Sequence, residues 1–224
     1  MKWVRRVAIL LLVLLVPAPV LVLLLFRFVP VPVTPQMLLS ALFGAGGHHQ
    51  WVGEEISPQL FRAVIAGEDD RFCSHHGFDW SSVDKAVQAH EQGKRLRGAS
   101  TISQQTARSV FLLPVRSWLR KGAEAWLTVL MEALWPKERI ITVYLNVVDW
   151  GHGNFGAEAA ARAYFGKSAA ALSGSQAAKL AAVLPDPDQW NAARPGPYVA
   201  AHAAVLRRRM AEVQRDGLDS CLGH

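Results

Sequence analysis

The sequence predicts a mainly α-helical domain behind one N-terminal membrane-spanning helix, and three observations predict it. Val7 to Phe26 is an uncharged run of Val, Leu, Ile, Ala, Phe and Pro. Ser57, Ser117 and Ser173 each open a stretch of helical apolar period, the pattern of an N-cap ahead of a helix. Strand-type alternation is almost absent.

The elements follow in order. Residues 1–6 carry Lys2, Arg5 and Arg6, so the positive-inside bias keeps them in the cytoplasm. Residues 7–26 suit a bilayer core of roughly 30 Å at about 1.5 Å per residue. A cleaved signal peptide is the rival, but its apolar core is shorter and ends in a small-x-small site. Here the run continues into Phe26, Arg27 and Phe28. Pro17 and Pro19 are expected to kink the anchor, which a membrane helix tolerates. Residues 27–49 form a membrane-proximal linker stiffened by Pro30, Pro32 and Pro35, and Met37 to Phe43 is an apolar patch fit for the interface or the domain.

Residues 50–224 form the domain. Ser57-Pro58 opens a helix to about Ala66 that hands over to Glu68, with proline at the first helical position. A second helix covers Trp80 to Gln92, capped by Asp79 or Ser81. Gly93 to Gly98 is a basic loop with Lys94, Arg95 and Arg97, and Ser100 is the expected N-cap of the next helix, through Arg108. Ser117 caps a long helix from Trp118 to Trp135, closed by Pro136, and Arg139 to Val147 follows. Gly151, Gly153 and Gly156 interrupt before a helix over Ala157 to Phe165. Ser173 and Gln176 have capping-box spacing ahead of a helix to Leu184, and Pro197 to about Arg215 closes the chain.

At 224 residues the chain fits one domain plus its N-terminal segment. A net charge of +6 and a pI near 9.7 point to an anionic partner: nucleic acid, a membrane surface or a phosphorylated substrate. Cys73 and Cys221 lie far apart without metal-ligand spacing. Two unpaired thiols are expected, with a disulfide open if the domain is exported.

Chemistry concentrates in three places. Gly67 to Asp79 packs Glu68, Asp69, Asp70, His75 and His76 directly after an apolar run, as a helix delivering charge to a cleft would; a solvated helix end is the plain alternative. Arg116, Arg120 and Glu124 recur at intervals of four with Lys121 between, so the last two share a helix face. Either they form a salt-bridged surface or they line a cleft, where paired arginines suit phosphate oxygens. Glu68 and Glu124 are then a candidate carboxylate pair for acid–base work. Gly98 to Gln105 places Ser100, Thr101, Gln104 and Gln105 at a helix N-terminus, which favours anions or sugars.

Other signals fail. Gly166-Lys167-Ser168 lacks the first glycine of a phosphate loop, because position 161 is Ala161. Ser82-Val83-Asp84-Lys85 has no S-D-N or K-T-G after it. His48-His49 and His75-His76 lack a third ligand at metal spacing.

Together these residues resemble the family 51 peptidoglycan glycosyltransferases. The motif E-D-x-x-F-x-x-H-x-G is matched by Glu68, Asp69, Phe72, His75 and Gly77, and G-[AG]-S-T-I-x-Q-Q by Gly98 to Gln105. R-K-x-x-E falls on Arg120, Lys121 and Glu124, and I-[LI]-x-x-Y-L-N on Ile140, Ile141, Tyr144, Leu145 and Asn146, with Lys137 ahead. A further match runs from Tyr164-Phe165-Gly166 to Leu184-Pro185. The likeness covers about 50–187 in order.

The resemblance implies a lysozyme-like helical domain, in its monofunctional form, that polymerises lipid II at a Gram-negative inner membrane with the domain in the periplasm. Glu68 would be the base for the acceptor 4-hydroxyl, and Glu124 would organise the donor pyrophosphate with Arg116, Arg120 and Lys121. A divalent cation, Mg2+ or Mn2+, is the one cofactor left open, with Glu124 its candidate ligand. Asp69, Phe72, His75, Gly98, Ser100, Thr101, Gln104, Gln105, Arg108, Lys137 and Asn146 would bind substrate or support the cleft. The implied partners are lipid II, the growing glycan strand, membrane lipid and other cell-wall synthesis proteins.

Two departures stand out: Arg108 replaces the usual lysine, and Asp149-Trp150-Gly151 with His152 replaces a more usual aromatic-glycine stretch. A lytic muramidase is the rival enzyme, but a glycosidase has no pyrophosphate to stabilise. A noncatalytic module binding peptidoglycan or anionic lipid is a third reading, and export removes the chain from nucleic acid.

Overall fold

The computed structural model describes residues 3, 5, 6, 13, 15–44, 46–92 and 100–223. The basic loop with Lys94, Arg95, Arg97 and Gly98, and much of the expected anchor, lie outside them. Ten α-helices, one 3-10 turn and two very short strands are present among the described residues.

Helix α1 spans Pro17–Phe28. Pro17 sits in its first turn, where a missing N–H leaves no helical bond unmade; Val13 and Leu15 before it are also helical and Val16 is a turn, so the helical run is interrupted at the proline, as expected. At 12 residues α1 is about 18 Å long, and among the described residues no helix is long and apolar enough to cross a membrane. It lies along α6 (Trp118–Leu134). Trp126 Nε1 donates to the Leu15 carbonyl at 2.8 Å, Trp135 Nε1 to Leu23 at 2.7 Å, and Arg139 Nε to Phe26 at 3.0 Å.

Helix α2, Pro35–Phe43, starts on Thr34, whose hydroxyl accepts from the Met37 amide at 3.2 Å. Its two faces divide the roles left open in the sequence: Met37 is buried, while Leu38, Leu42 and Phe43 are exposed. Strand β1, His48–His49, pairs in parallel with β2, Asn154–Phe155. Two residues per strand are too few for an alternating pattern to register.

The core has two layers of helices. Helices α3 (Pro58–Glu68), α9 (Gly174–Val183) and α10 (Pro197–Arg215) pack on one another. Helix α5 (Ile102–Phe111) packs on both α6 and α7 (Lys137–Val147). Helix α7 is buried on every side from Ile140 to Val147, the polar Thr142 and Asn146 included. Helices α4 (Trp80–Glu91, capped by Asp79) and α8 (Ala157–Phe165) complete the shell.

One expectation is corrected at the chain's end. Cys73 and Cys221 form a disulfide across 148 residues of sequence, because the tail after α10 folds back onto the loop following α3. Asp219 pairs there with Arg62 at 2.8 Å, and Leu222 is fully buried.

The 149–156 turn explains its own unusual residues. Asp149 accepts from the Gly151 amide at 2.8 Å and from Gln36 Nε2 at 2.7 Å, tying α2 to the turn. Gly151 has φ of +87°, and a Cβ there would fall 1.8 Å from the Pro187 carbonyl oxygen. Gly151→Ala is therefore expected to destabilise the fold by about 2–5 kcal/mol through strain and overlap together, measured by urea denaturation.

Candidate active site

The end of α3 sets the site. Ser57 fixes its start by donating to the Leu172 carbonyl at 2.8 Å, and the buried stretch Ala63 to Ala66 carries the helix to Glu68 at its last turn. Asp69 is the next residue and leaves the helix. Its carboxylate accepts from the Ile102 amide at 2.9 Å and from His75 Nε2 at 2.9 Å. An acidic group on the first amide of α5 satisfies an orphan donor and the positive helix end at once. That contact brings Glu68 beside the first turns of α5.

His75 is oriented from both nitrogens. Its Nδ1 accepts from the Gly77 amide at 3.1 Å, which leaves the proton on Nε2 to face Asp69. Gly77 has φ of +91°, and a Cβ would meet Thr128 Cγ2 at 2.9 Å. Its carbonyl accepts from the Thr101 hydroxyl at 2.7 Å. Phe72 is fully buried, with Lys137 Nζ 4.6 Å from its ring centroid. Asp69, Phe72 and His75 thus stand behind the site and fix the junction of α3 with α5, rather than presenting surface to a ligand.

Helix α5 begins one residue later than the sequence suggested. Thr101, not Ser100, is the N-cap, in a capping box with Gln104: the Gln104 amide reaches Thr101 Oγ1 at 3.2 Å and the Thr101 amide reaches Gln104 Oε1 at 3.1 Å. Both are buried, so their polar groups are spent on the helix start. Ser100 is left to accept from Lys121 Nζ at 3.5 Å. Gln105 Nε2 donates to Glu68 Oε2 at 2.8 Å. Arg108, one turn on, is exposed, and its side chain has no hydrogen-bond partner among the described residues.

Burial raises the Glu68 pKa; the Gln105 hydrogen bond and the Arg108 charge pull it back, and Asp69 adds to the rise. A base of raised pKa holds a proton more strongly once it has taken one.

The second carboxylate is on α6. Glu124 is buried, with Arg120 Nη1 on Oε2 at 2.6 Å and Lys121 Nζ on Oε1. Two cations on one carboxylate leave a net positive charge, and exposed Arg116 lies at the helix entrance. Gln105 and Ser100 lead from Glu68 to Lys121, so both carboxylates face the start of α5.

Other expected residues sit elsewhere. Lys137 pairs with Glu132 at 2.7 Å, and Ser103 donates to the same oxygen, so both are bound in a partly buried network under α5. Asn146 is wholly buried: it accepts from the Val52 amide at 2.9 Å and donates to the Gly53 carbonyl at 2.9 Å. It holds the segment before α3 onto α7. Two further residues, given no role by the sequence, stand in the site. Glu132 is a charge within an apolar helix, a signal in itself. Tyr144, present in the fourth motif, donates to Gln105 Oε1 at 3.0 Å.

A resident metal does not fit. Both Glu124 oxygens are engaged by cations, and among the described residues no three His, Cys, Asp or Glu gather as a metal site. The arrangement instead offers a carboxylate base and a cationic surface for an anionic group.

Known proteins share this arrangement's sequence. A family profile described as Transglycosylase matches residues 36–213. The biosynthetic peptidoglycan transglycosylase of Rhodospirillum centenum is 56% identical over 191 residues, covering 84% of this chain and 83% of that protein. The protein so named from Caulobacter vibrioides is 49% identical over 222 residues, 99% of this chain and 97% of its own. That of Pseudomonas aeruginosa is 55% identical over 163 residues, 73% and 70%. With the matched region enclosing both Glu68 and Glu124, this chain belongs to the transglycosylase family.

Proposed function

We propose that this chain is a peptidoglycan glycosyltransferase of cell-wall synthesis that polymerises lipid II into β-1,4-linked glycan. The observation that carries the reading is a carboxylate base, Glu68, set beside Arg108 and a cation-rich Lys121–Glu124–Arg120 cluster. Glu68 takes the proton from the acceptor GlcNAc 4-hydroxyl as that oxygen attacks the anomeric carbon of the donor strand. The bond to undecaprenyl pyrophosphate breaks with inversion, and Arg120, Lys121, Arg108 and Arg116 offset the charge that leaves with it. A lytic enzyme has no use for the cationic cluster, and the relatives' names are biosynthetic.

The location follows the same reading. The domain works in the periplasm, anchored by residues 7–26 in the inner membrane. The disulfide supports an oxidising compartment, and exposed Phe43, Trp118 and Leu119 support contact with lipid. Other cell-wall synthesis proteins are expected partners at that membrane.

The test is incubation of the full chain, in detergent with a divalent cation supplied, with fluorescent lipid II. A ladder of products that lysozyme digests is expected. Cleavage of preformed glycan without a ladder would overturn polymerisation in favour of a glycosidase.

A further inference from the structure

We propose that Tyr144 is a positioning residue that fixes the orientation of the Gln105 amide and so keeps Glu68 ready to accept a proton. This rests on Glu68 as the base. The phenol is fully buried on α7 and donates to Gln105 Oε1 at 3.0 Å, while Gln105 Nε2 donates to Glu68 Oε2 at 2.8 Å. A glutamine amide has one acceptor end and one donor end, and its partners decide which way it points. With the Tyr144 proton on Oε1, the N–H end must face the carboxylate.

Reversing the amide leaves the buried Tyr144 proton without its acceptor, and directs Oε1 at the ionised Glu68. The phenol also keeps its proton: burial, Glu68 and Asp69 raise its pKa well above the ordinary tyrosine value, against the pull of Arg108. Tyr144 therefore remains a donor throughout the range in which Glu68 titrates.

The consequence has a defined sign. An N–H donor held toward a carboxylate favours its charged form. Without Tyr144, Gln105 can turn over when Glu68 is protonated and accept the acid O–H, which favours the neutral form. The groups facing Glu68 are Gln105 and Arg108 from α5, Asp69 at the end of its own helix and Tyr144 from α7. Arg108 and Asp69 are common to both proteins, so a difference between them reports the amide.

The experiment is Tyr144→Phe in the full chain, assayed for lipid II polymerisation across pH. The acid limb of kcat/KM is expected to move to higher pH by about one unit, a tenfold loss below the limb that closes on the alkaline plateau. KM for lipid II should change little. Infrared difference spectra against Glu68→Gln should place the Glu68 carboxyl titration higher by the same amount. This readout does not need turnover. Gln105→Leu should raise the Glu68 titration as well, and adding Tyr144→Phe to it should shift it no further.

An equal loss at every pH, or an unmoved Glu68 titration in either variant, would overturn the proposal and leave the base assignment standing. Retained polymerisation in Glu68→Gln would overturn the base assignment itself.

Discussion

Glu68→Gln is expected to lower lipid II polymerisation by roughly 10²- to 10⁴-fold, the usual range for losing a positioned general base, and to make the fold more stable at neutral pH. The first effect follows from the proposed proton transfer, since an amide cannot take up the acceptor proton. The second follows from the raised Glu68 pKa. A carboxyl that binds its proton more strongly folded than unfolded contributes stability at low pH. That contribution is lost as pH rises from the unfolded pKa through the folded one. At neutral pH the wild-type protein holds a poorly solvated charge, and the amide isostere removes it while keeping a partner for Gln105. Thermal unfolding at pH 7 should show a higher midpoint for the variant, and the gap should narrow toward low pH. A variant both inactive and less stable would point to a structural carboxylate instead.

Removing the disulfide is expected to cost as much stability as Gly151→Ala does. It closes 148 residues, and the cross-link's restriction of the unfolded chain grows with loop length, giving an expected loss of about 2–5 kcal/mol. Urea titration of Cys221→Ser against wild type, and of wild type with and without a dithiol reductant, should show the same drop in midpoint. Activity at low temperature should survive better than stability. Arg62–Asp219 and buried Leu222 still hold the tail in the folded protein, so the loss is mostly on the unfolded side. Loss of activity in step with the reduced disulfide, without unfolding, would show that Cys73 is needed to place the loop between Asp69 and His75.

Much of this was legible in the chain because helix starts are local. Ser57, Ser117 and the Ser173–Gln176 box are read from adjacent residues and appear as caps in the structure. The cap at Thr101 is equally local: Thr101 has glutamine three residues on, whereas Ser100 has Ser103, and only the first pair closes a capping box. The disulfide was not legible, because the meeting of Cys73 with Cys221 depends on where α10 delivers the tail. The motif residues divide for a similar reason. Asp69, His75 and Asn146 are polar types that serve equally as ligand contacts or as buried hydrogen-bonding struts, and only burial tells the two apart. Tyr144 is named by its motif but has no role legible in the sequence, because a phenol among Ile, Val and Leu reads as core and its hydroxyl acts only through Gln105.

The docking of α1 has a consequence for how its sequence can drift. Trp126, Trp135 and Arg139 address main-chain carbonyls of Leu15, Leu23 and Phe26, which every residue type supplies. One apolar side chain can replace another without disturbing those donors. Insertion of a single residue between 15 and 23 is different, because it turns everything beyond it by about 100° and advances it by about 1.5 Å. The segment therefore behaves as a ruler, tolerant of spelling and intolerant of length.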